Sequence, residues 1–153
     1  MNPNPHLRAT KTAVLLLNLG TPSAPTPKAV RAYLKEFLSD PRVVEIPRVI
    51  WWFILNGIIL PIRSSASAKK YASIWLPQLG SPLMHYSRLQ AKALGEKFAH
   101  EGHTVLVDLA MRYGQPTIQE ALDSLQAQGM ERLLLLPLYP QYSATTTASS
   151  FDE

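Results

Sequence analysis

The feature that most constrains this chain is a short, unbroken apolar run, Ala13-Val14-Leu15-Leu16-Leu17-Asn18-Leu19, halted by Gly20-Thr21-Pro22. A half-exposed strand alternates apolar and polar residues, whereas a strand that is apolar almost throughout has to be covered on both faces. Two further runs of this kind follow, at Thr104–Ala110 and Arg132–Leu138. Between them lie helical patterns. Thr26-Pro27 opens one, with Val30, Tyr33, Leu34, Phe37 and Leu38 on one face and a stop near Ser39-Asp40-Pro41. Ser65 to Trp75 reads as another. Ser81-Pro82 is an N-cap and first-turn pair for a long helix to about His100, with Leu83, Leu89, Ala93, Leu94 and Phe98 predicted inward. Pro116 to about Gln128 is a fourth, with Ile118, Ala121, Leu122 and Leu125 inward and Gly129 as its stop.

Buried strands alternating with amphipathic helices predict an α/β fold, a parallel sheet with helices on both faces. The expected organisation is one domain over residues 13–153 behind a flexible polar tail, residues 1–12. The pattern ends inside what reads as another helix opening at Thr145. Domain boundaries usually fall in loops, so the expectation is a truncated domain.

Composition narrows the function. With 153 residues, 46% apolar and 17% charged, one core is within reach, and thirteen prolines imply sharply punctuated connections. The absence of cysteine excludes disulfides, thiolate metal sites and iron–sulfur ligation by this segment, and it suits a reducing cytosol. A net charge of +4 is spread over dispersed residues such as Arg42, Arg48, Arg63, Lys69, Lys70 and Arg112. That pattern gives solubility and a few anion-binding positions rather than a nucleic-acid stripe, so no nucleic-acid partner is expected. The first residues lack the apolar core and cleavage site of a signal peptide. The most apolar stretch, Val49–Leu60, is expected to start at Pro47, to be broken by Asn56-Gly57 and to close at Pro61. It is shorter than the ~20 residues of a bilayer span, leaving a buried segment or an exposed apolar lip.

In open parallel sheets, ligands bind beyond the carboxyl ends of the strands. Here those ends are Asn18–Pro22, Met111-Arg112-Tyr113-Gly114, and Tyr139-Pro140-Gln141-Tyr142-Ser143 followed by Thr145-Thr146-Thr147. Together they form one edge of aromatic, guanidinium and hydroxyl groups, the expected working face. Each has a plainer reading. Gly20 can simply make a tight turn, the Arg112-Tyr113 pair can be a structural ion-pair site, and the Thr and Ser residues can be a capped helix start. Of the four histidines, only His85 falls near the expected cleft, while His6 lies in the tail and His100 and His103 flank a helix end. No pair has metal-ligand spacing, so a strong metal site would be incomplete. The P-loop, the dinucleotide glycine fingerprint and the Gly-x-Ser-x-Gly elbow are all absent.

These motifs resemble the ferrochelatase family. The matching stretches are Leu16–Pro22, Phe37–Val44, Pro61–Tyr71, Gly80–Leu83, Met111–Gly114 and Tyr139–Ser143, in family order over about residues 13–153. The resemblance implies two similar Rossmann-like α/β/α halves with protoporphyrin IX in the cleft between them, this chain being the N-terminal half. It implies a lyase-class chelatase that inserts Fe²⁺, a substrate, to make haem. Leu19 would line the porphyrin pocket. Arg63, Tyr71 and Ser81 would hold the propionates, Arg112 and Tyr113 would lie beneath the macrocycle, and Tyr139 and Ser143 would line the same wall. Trp51, Trp52 and Phe53 would form a lip facing a membrane, in a cytoplasmic protein with the inner membrane face as a further docking surface. The family's Ser-x-His histidine and its acidic partner belong to the second half, so this chain alone is expected to be inactive. A position that carries a cluster-ligating cysteine in some relatives is Ala144 here, so no iron–sulfur cofactor is expected from it. The rival readings are a chelatase for sirohydrochlorin or coproporphyrin, a non-enzymatic tetrapyrrole-binding module and, last, a nucleotide-binding domain.

Overall fold

A computed structural model of the chain describes residues 10–152; His6, most of the expected tail and Glu153 lie outside the described residues. Three parallel strands, β1 (Thr12–Gly20), β2 (Val105–Tyr113) and β3 (Arg132–Pro137), form a sheet in the order β2-β1-β3. The central strand is β1, and its Ala13–Leu17 stretch is almost wholly buried. Both faces are covered, as the apolar run requires. Ala13, Leu15 and Leu17 pack with Ala110 against Ile118, Ala121 and Leu125 of helix α5 (Ile118–Ala127). Val14, Leu16, Leu109 and Met111 pack on the other face against Met84, Ala91, Leu94 and Phe98 of helix α4 (Pro82–His100). The α/β fold with helices on both sheet faces is therefore present.

Local sequence accounts for the elements. Helix α1 (Pro27–Ser39) starts where Thr26 accepts a hydrogen bond from the Ala29 amide and Pro27 presets the first turn. Helix α5 starts in a capping box, Thr117 bonding the Glu120 amide and Glu120 bonding back to the Thr117 amide.

Three expectations need correction. The inward stripe of α4 is Met84, Ser87, Ala91, Leu94 and Phe98, whereas Leu83 and Leu89 face outward. A buried serine explains the difference: Ser87 accepts a hydrogen bond from Asn18 Nδ2 at 3.2 Å, so a polar residue occupies the inner face and disguises its period. Next, β2 does not stop at Ala110 but runs through Tyr113, paired with β1 up to Gly20↔Tyr113. A Cβ on Gly20 would lie 1.8 Å from the Tyr113 carbonyl oxygen, and Gly20 has φ +116°. Only glycine lets the two strands stay this close to their ends.

The third correction concerns the apolar segment. Neither Asn56-Gly57 nor Pro61 breaks it. Helix α2 (Arg48–Ile54) continues through a π-turn, Leu55–Ile59, into α3 (Leu60–Ile74). The Leu60 amide reaches back to the Leu55 carbonyl, five residues rather than four. This widened turn opens the helix just ahead of Pro61, where a regular turn would press the proline ring into the Gly57 carbonyl. The result is a helical rod over Arg48–Ile74, 27 residues, long and apolar enough by length and composition to cross a membrane. Only 17% of its most apolar stretch is buried.

Candidate functional site

All three strands point the same way, and their carboxyl ends lie on one edge. Gly20 is opposite Tyr113, Leu17 is opposite Pro137, and the Leu138 amide donates to the Leu17 carbonyl at 2.8 Å. The strand-end motifs are thus brought together as their order predicts. After β3 the chain passes Tyr139–Ser143 into a π-turn, Ala144–Ala148, and a short helix α6 (Ser149–Phe151). A helix does begin where the Thr and Ser run suggests, though through a wider first turn.

The hub of this edge is Asp40, read in the sequence only as a helix stop. Its carboxylate is buried and accepts hydrogen bonds from Tyr113 Oη at 2.8 Å, Arg112 Nη2 at 2.9 Å, Ser149 Oγ at 2.5 Å and the Arg42 amide at 2.7 Å. Arg112 Nε also donates to Ser149 Oγ at 2.7 Å, and its guanidinium lies 4.7 Å from the Tyr113 ring centroid. One carboxylate therefore ties the end of α1, the end of β2 and the segment after β3. Burial opposes the charge on Asp40, but the hydrogen bonds from Ser149, Tyr113 and the Arg42 amide, with the Arg112 charge, outweigh it and hold the carboxyl below its usual range. Burial pushes the Tyr113 phenol up to about 12. Arg112 thus makes an ion pair with Asp40 at the strand end. Nothing in the sequence marks Asp40 apart from its being the acid nearest a helix end in a chain whose second strand ends in Arg-Tyr.

The remaining candidates fall into small groups. Tyr139 Oη lies 3.3 Å from Ser150 Oγ, and burial raises its phenol. Ser143 does not cap the turn that follows it; its hydroxyl pairs with Thr146 Oγ1 at 2.6 Å. Leu19 is half-buried, its amide held by Asn18 Oδ1 at 2.9 Å. Tyr71, on α3, meets the Tyr33 ring edge-on with centroids 6.4 Å apart. Burial raises both phenols. Tyr33 in turn donates to the Gly20 carbonyl at 3.3 Å.

Beside these residues lies a cleft of about 470 Å³ between α1, the start of α4 and the ends of β1 and β2, lined by Thr21, Tyr33, Glu36, Trp75, Ser81 and Arg88 among others. It brings Ser81 to Tyr33 and hence to the neighbourhood of Tyr71. Glu36 on its rim accepts the Gly114 amide at 3.1 Å. Thr21 falls within the Asn18–Pro22 strand end, whereas Tyr33 and Glu36 were not among the sequence candidates, because a helix face looks like ordinary structure.

Arg63 stands apart: it is exposed, and among the described residues its guanidinium makes no ion pair or hydrogen bond. His85 is not a lining residue of the cleft, which takes Met84 and Arg88 from α4. Trp51 donates its indole N–H to the Leu38 carbonyl at 2.7 Å and is half-buried, whereas Trp52 and Phe53 are 57% and 65% exposed. No group of three or more metal-ligating side chains occurs among the described residues.

Comparison with known proteins gives a consistent result. The family model described as ferrochelatase matches residues 11–153. A ferrochelatase of Herminiimonas arsenicoxydans is 63% identical over 150 residues, 98% of this chain and 40% of the relative. A ferrochelatase of Janthinobacterium sp. (strain Marseille) is also 63% identical, over 147 residues, 96% of this chain and 40% of the relative. The chain thus spans about 40% of the length of the curated relatives it matches.

Proposed function

The chain belongs to the ferrochelatase family, and we propose that it is the N-terminal half of a lyase that inserts Fe²⁺ into protoporphyrin IX. In this reading the chain supplies one wall of the porphyrin cleft. The observation that carries it is the convergence of Leu19-Gly20, Met111–Gly114 and Tyr139–Ser143 on one sheet edge, with Gly20 directly opposite Tyr113.

The division of labour follows from the chemistry of each group. Leu19 offers apolar contact to the macrocycle, and Tyr139 and Ser143 extend the same wall. Arg63, Tyr71 and Ser81 hold the propionates, since a guanidinium and two hydroxyls hydrogen-bond carboxylates. The exposed Arg63 is able to swing to a ligand without giving up a partner in the fold. Arg112 and Tyr113, fixed by Asp40, stiffen the floor beneath the ring. A firm wall matters because metal insertion requires a bent macrocycle whose nitrogens give up two protons in exchange for one Fe²⁺. Holding the ring part-way to that shape lowers the barrier. Proton removal falls to the histidine and acid that the family carries in its second half, so the chain alone binds without inserting iron.

The exposed face around Trp52 and Phe53 forms the lip of the cleft and meets a membrane surface as an interfacial helix, from the cytoplasmic side. With Ala144 after the third strand, no iron–sulfur cofactor is expected from this half.

The test is a porphyrin titration followed by absorbance for Fe²⁺ insertion. This chain is run beside a protein extended to the full length of its relatives. Binding by both and insertion by the longer one alone is the expected result. Binding by both with insertion by neither would replace the chelatase reading with a tetrapyrrole carrier, and binding by neither would remove both.

A further inference from the structure

Ser81 occupies the N-cap of α4, where a serine ordinarily turns its hydroxyl onto the free amides of the first turn. It makes no such bond. Instead Ser81 Oγ accepts a hydrogen bond from Thr21 Oγ1 at 2.8 Å. Both residues are buried, 6% and 7% exposed, and both line the cleft.

A serine hydroxyl has one hydrogen and two acceptor positions. Thr21 fills an acceptor position, so the single hydrogen of Ser81 has to point elsewhere. Among the described residues that hydrogen meets no acceptor. Forgoing the helix cap gives up local stability, an arrangement better explained by a use for the hydroxyl. Thr21 is itself held in place. It follows Gly20, whose close approach to Tyr113 fixes the backbone, and its carbonyl lies 3.0 Å from where a Cβ on Gly114 would stand.

We propose that Thr21 is a positioning residue: by donating to Ser81 it turns the Ser81 hydroxyl into a fixed donor aimed at a carboxylate of the bound tetrapyrrole. A donated hydrogen bond also polarises the receiving hydroxyl and strengthens the bond it makes onward. The inference rests on the reading above that Ser81 holds a propionate, and it adds the residue that sets the direction of that contact.

The experiment is a fluorescence titration of the full chain with protoporphyrin IX and, separately, with its dimethyl ester, which has no ionised carboxylates. Thr21→Val should weaken diacid binding about tenfold to a hundredfold, the effect of one lost hydrogen bond to a charged group. It should leave ester binding within about twofold, and Thr21→Ser, which keeps the hydroxyl, should restore the diacid. Ser81→Ala should match Thr21→Val, and the double variant should lose no more than either alone. If Thr21→Val does not fold, Thr21→Ala, which removes the hydroxyl without adding apolar volume, carries the same expectation. Equal loss for diacid and ester, or a Thr21 variant that binds like wild type while Ser81→Ala is weakened, overturns the positioning role and leaves Ser81 standing. Wild-type binding by Ser81→Ala overturns the propionate reading itself.

Discussion

Strands β1 and β3 are nearly the same in composition, Ala-Val-Leu-Leu-Leu against Leu-Leu-Leu-Leu-Pro, yet they sit in opposite surroundings. Ala13–Leu17 of β1 are 4% exposed or less. In β3, Leu133, Leu134 and Leu136 are 36%, 54% and 40% exposed. The difference lies in neighbours. β1 has a strand on each side and a helix on each face, whereas β3 pairs with β1 alone and has neither helix lying squarely on it. An apolar run states that cover is required; it does not say what provides it. The long rod over Arg48–Ile74 makes the same point on a helix, being apolar and mostly uncovered among the described residues.

Gly20→Ala should be the most damaging, because the new Cβ meets backbone rather than a movable side chain and φ is positive. A cost of about 4 kcal/mol, or failure to fold, is expected in thermal melts. Leu15→Ala should lose about 3 kcal/mol and Leu134→Ala less than about 0.5, although both remove the same atoms. Equal losses would mean that β3 is covered in solution and would erase the contrast between the strands.

Asp40→Asn asks how firmly the segment after β3 is tied to the ends of α1 and β2. A loss of about 2 kcal/mol is expected from weakened bonds to Arg112, Tyr113 and Ser149. Because the folded-state pKa of Asp40 is depressed, its contribution is full above the unfolded value near ~4 and fades as pH falls through the folded value. Chemical denaturation between about pH 5 and 2 should therefore show a shallower acid decline for Asp40→Asn than for wild type. A parallel decline in both would show that Asp40 is not a main source of acid sensitivity.

Much of the fold was legible in the sequence, because the signals were local. Buried strands show as unbroken apolar runs, and Thr26-Pro27, Ser81-Pro82 and Pro116 mark helix starts. What failed depended on partners far along the chain. The inward face of α4 was misplaced because Ser87 is buried by a bond to Asn18, which no period in α4 reveals. The continuity through Pro61 was missed because a π-turn, not the proline, decides how the ring is accommodated. The site divided in the same way. Its motifs announced the edge where the strand ends meet, but Asp40 joins Arg112, Tyr113 and Ser149 across more than 70 residues of chain, and Thr21 meets Ser81 across 60. Such contacts exist only once the sheet has assembled.

The most direct test of the account is a map of amide chemical-shift changes in the isotope-labelled chain as protoporphyrin IX is added. The largest changes should fall at Leu19, Tyr71, Ser81, Arg112, Tyr139 and Ser143, with the opposite sheet edge at Thr12, Val105 and Arg132 unmoved. Changes centred on α5 or on that opposite edge, or none at saturating porphyrin, would contradict the claim that the carboxyl ends of these strands are a tetrapyrrole-binding wall.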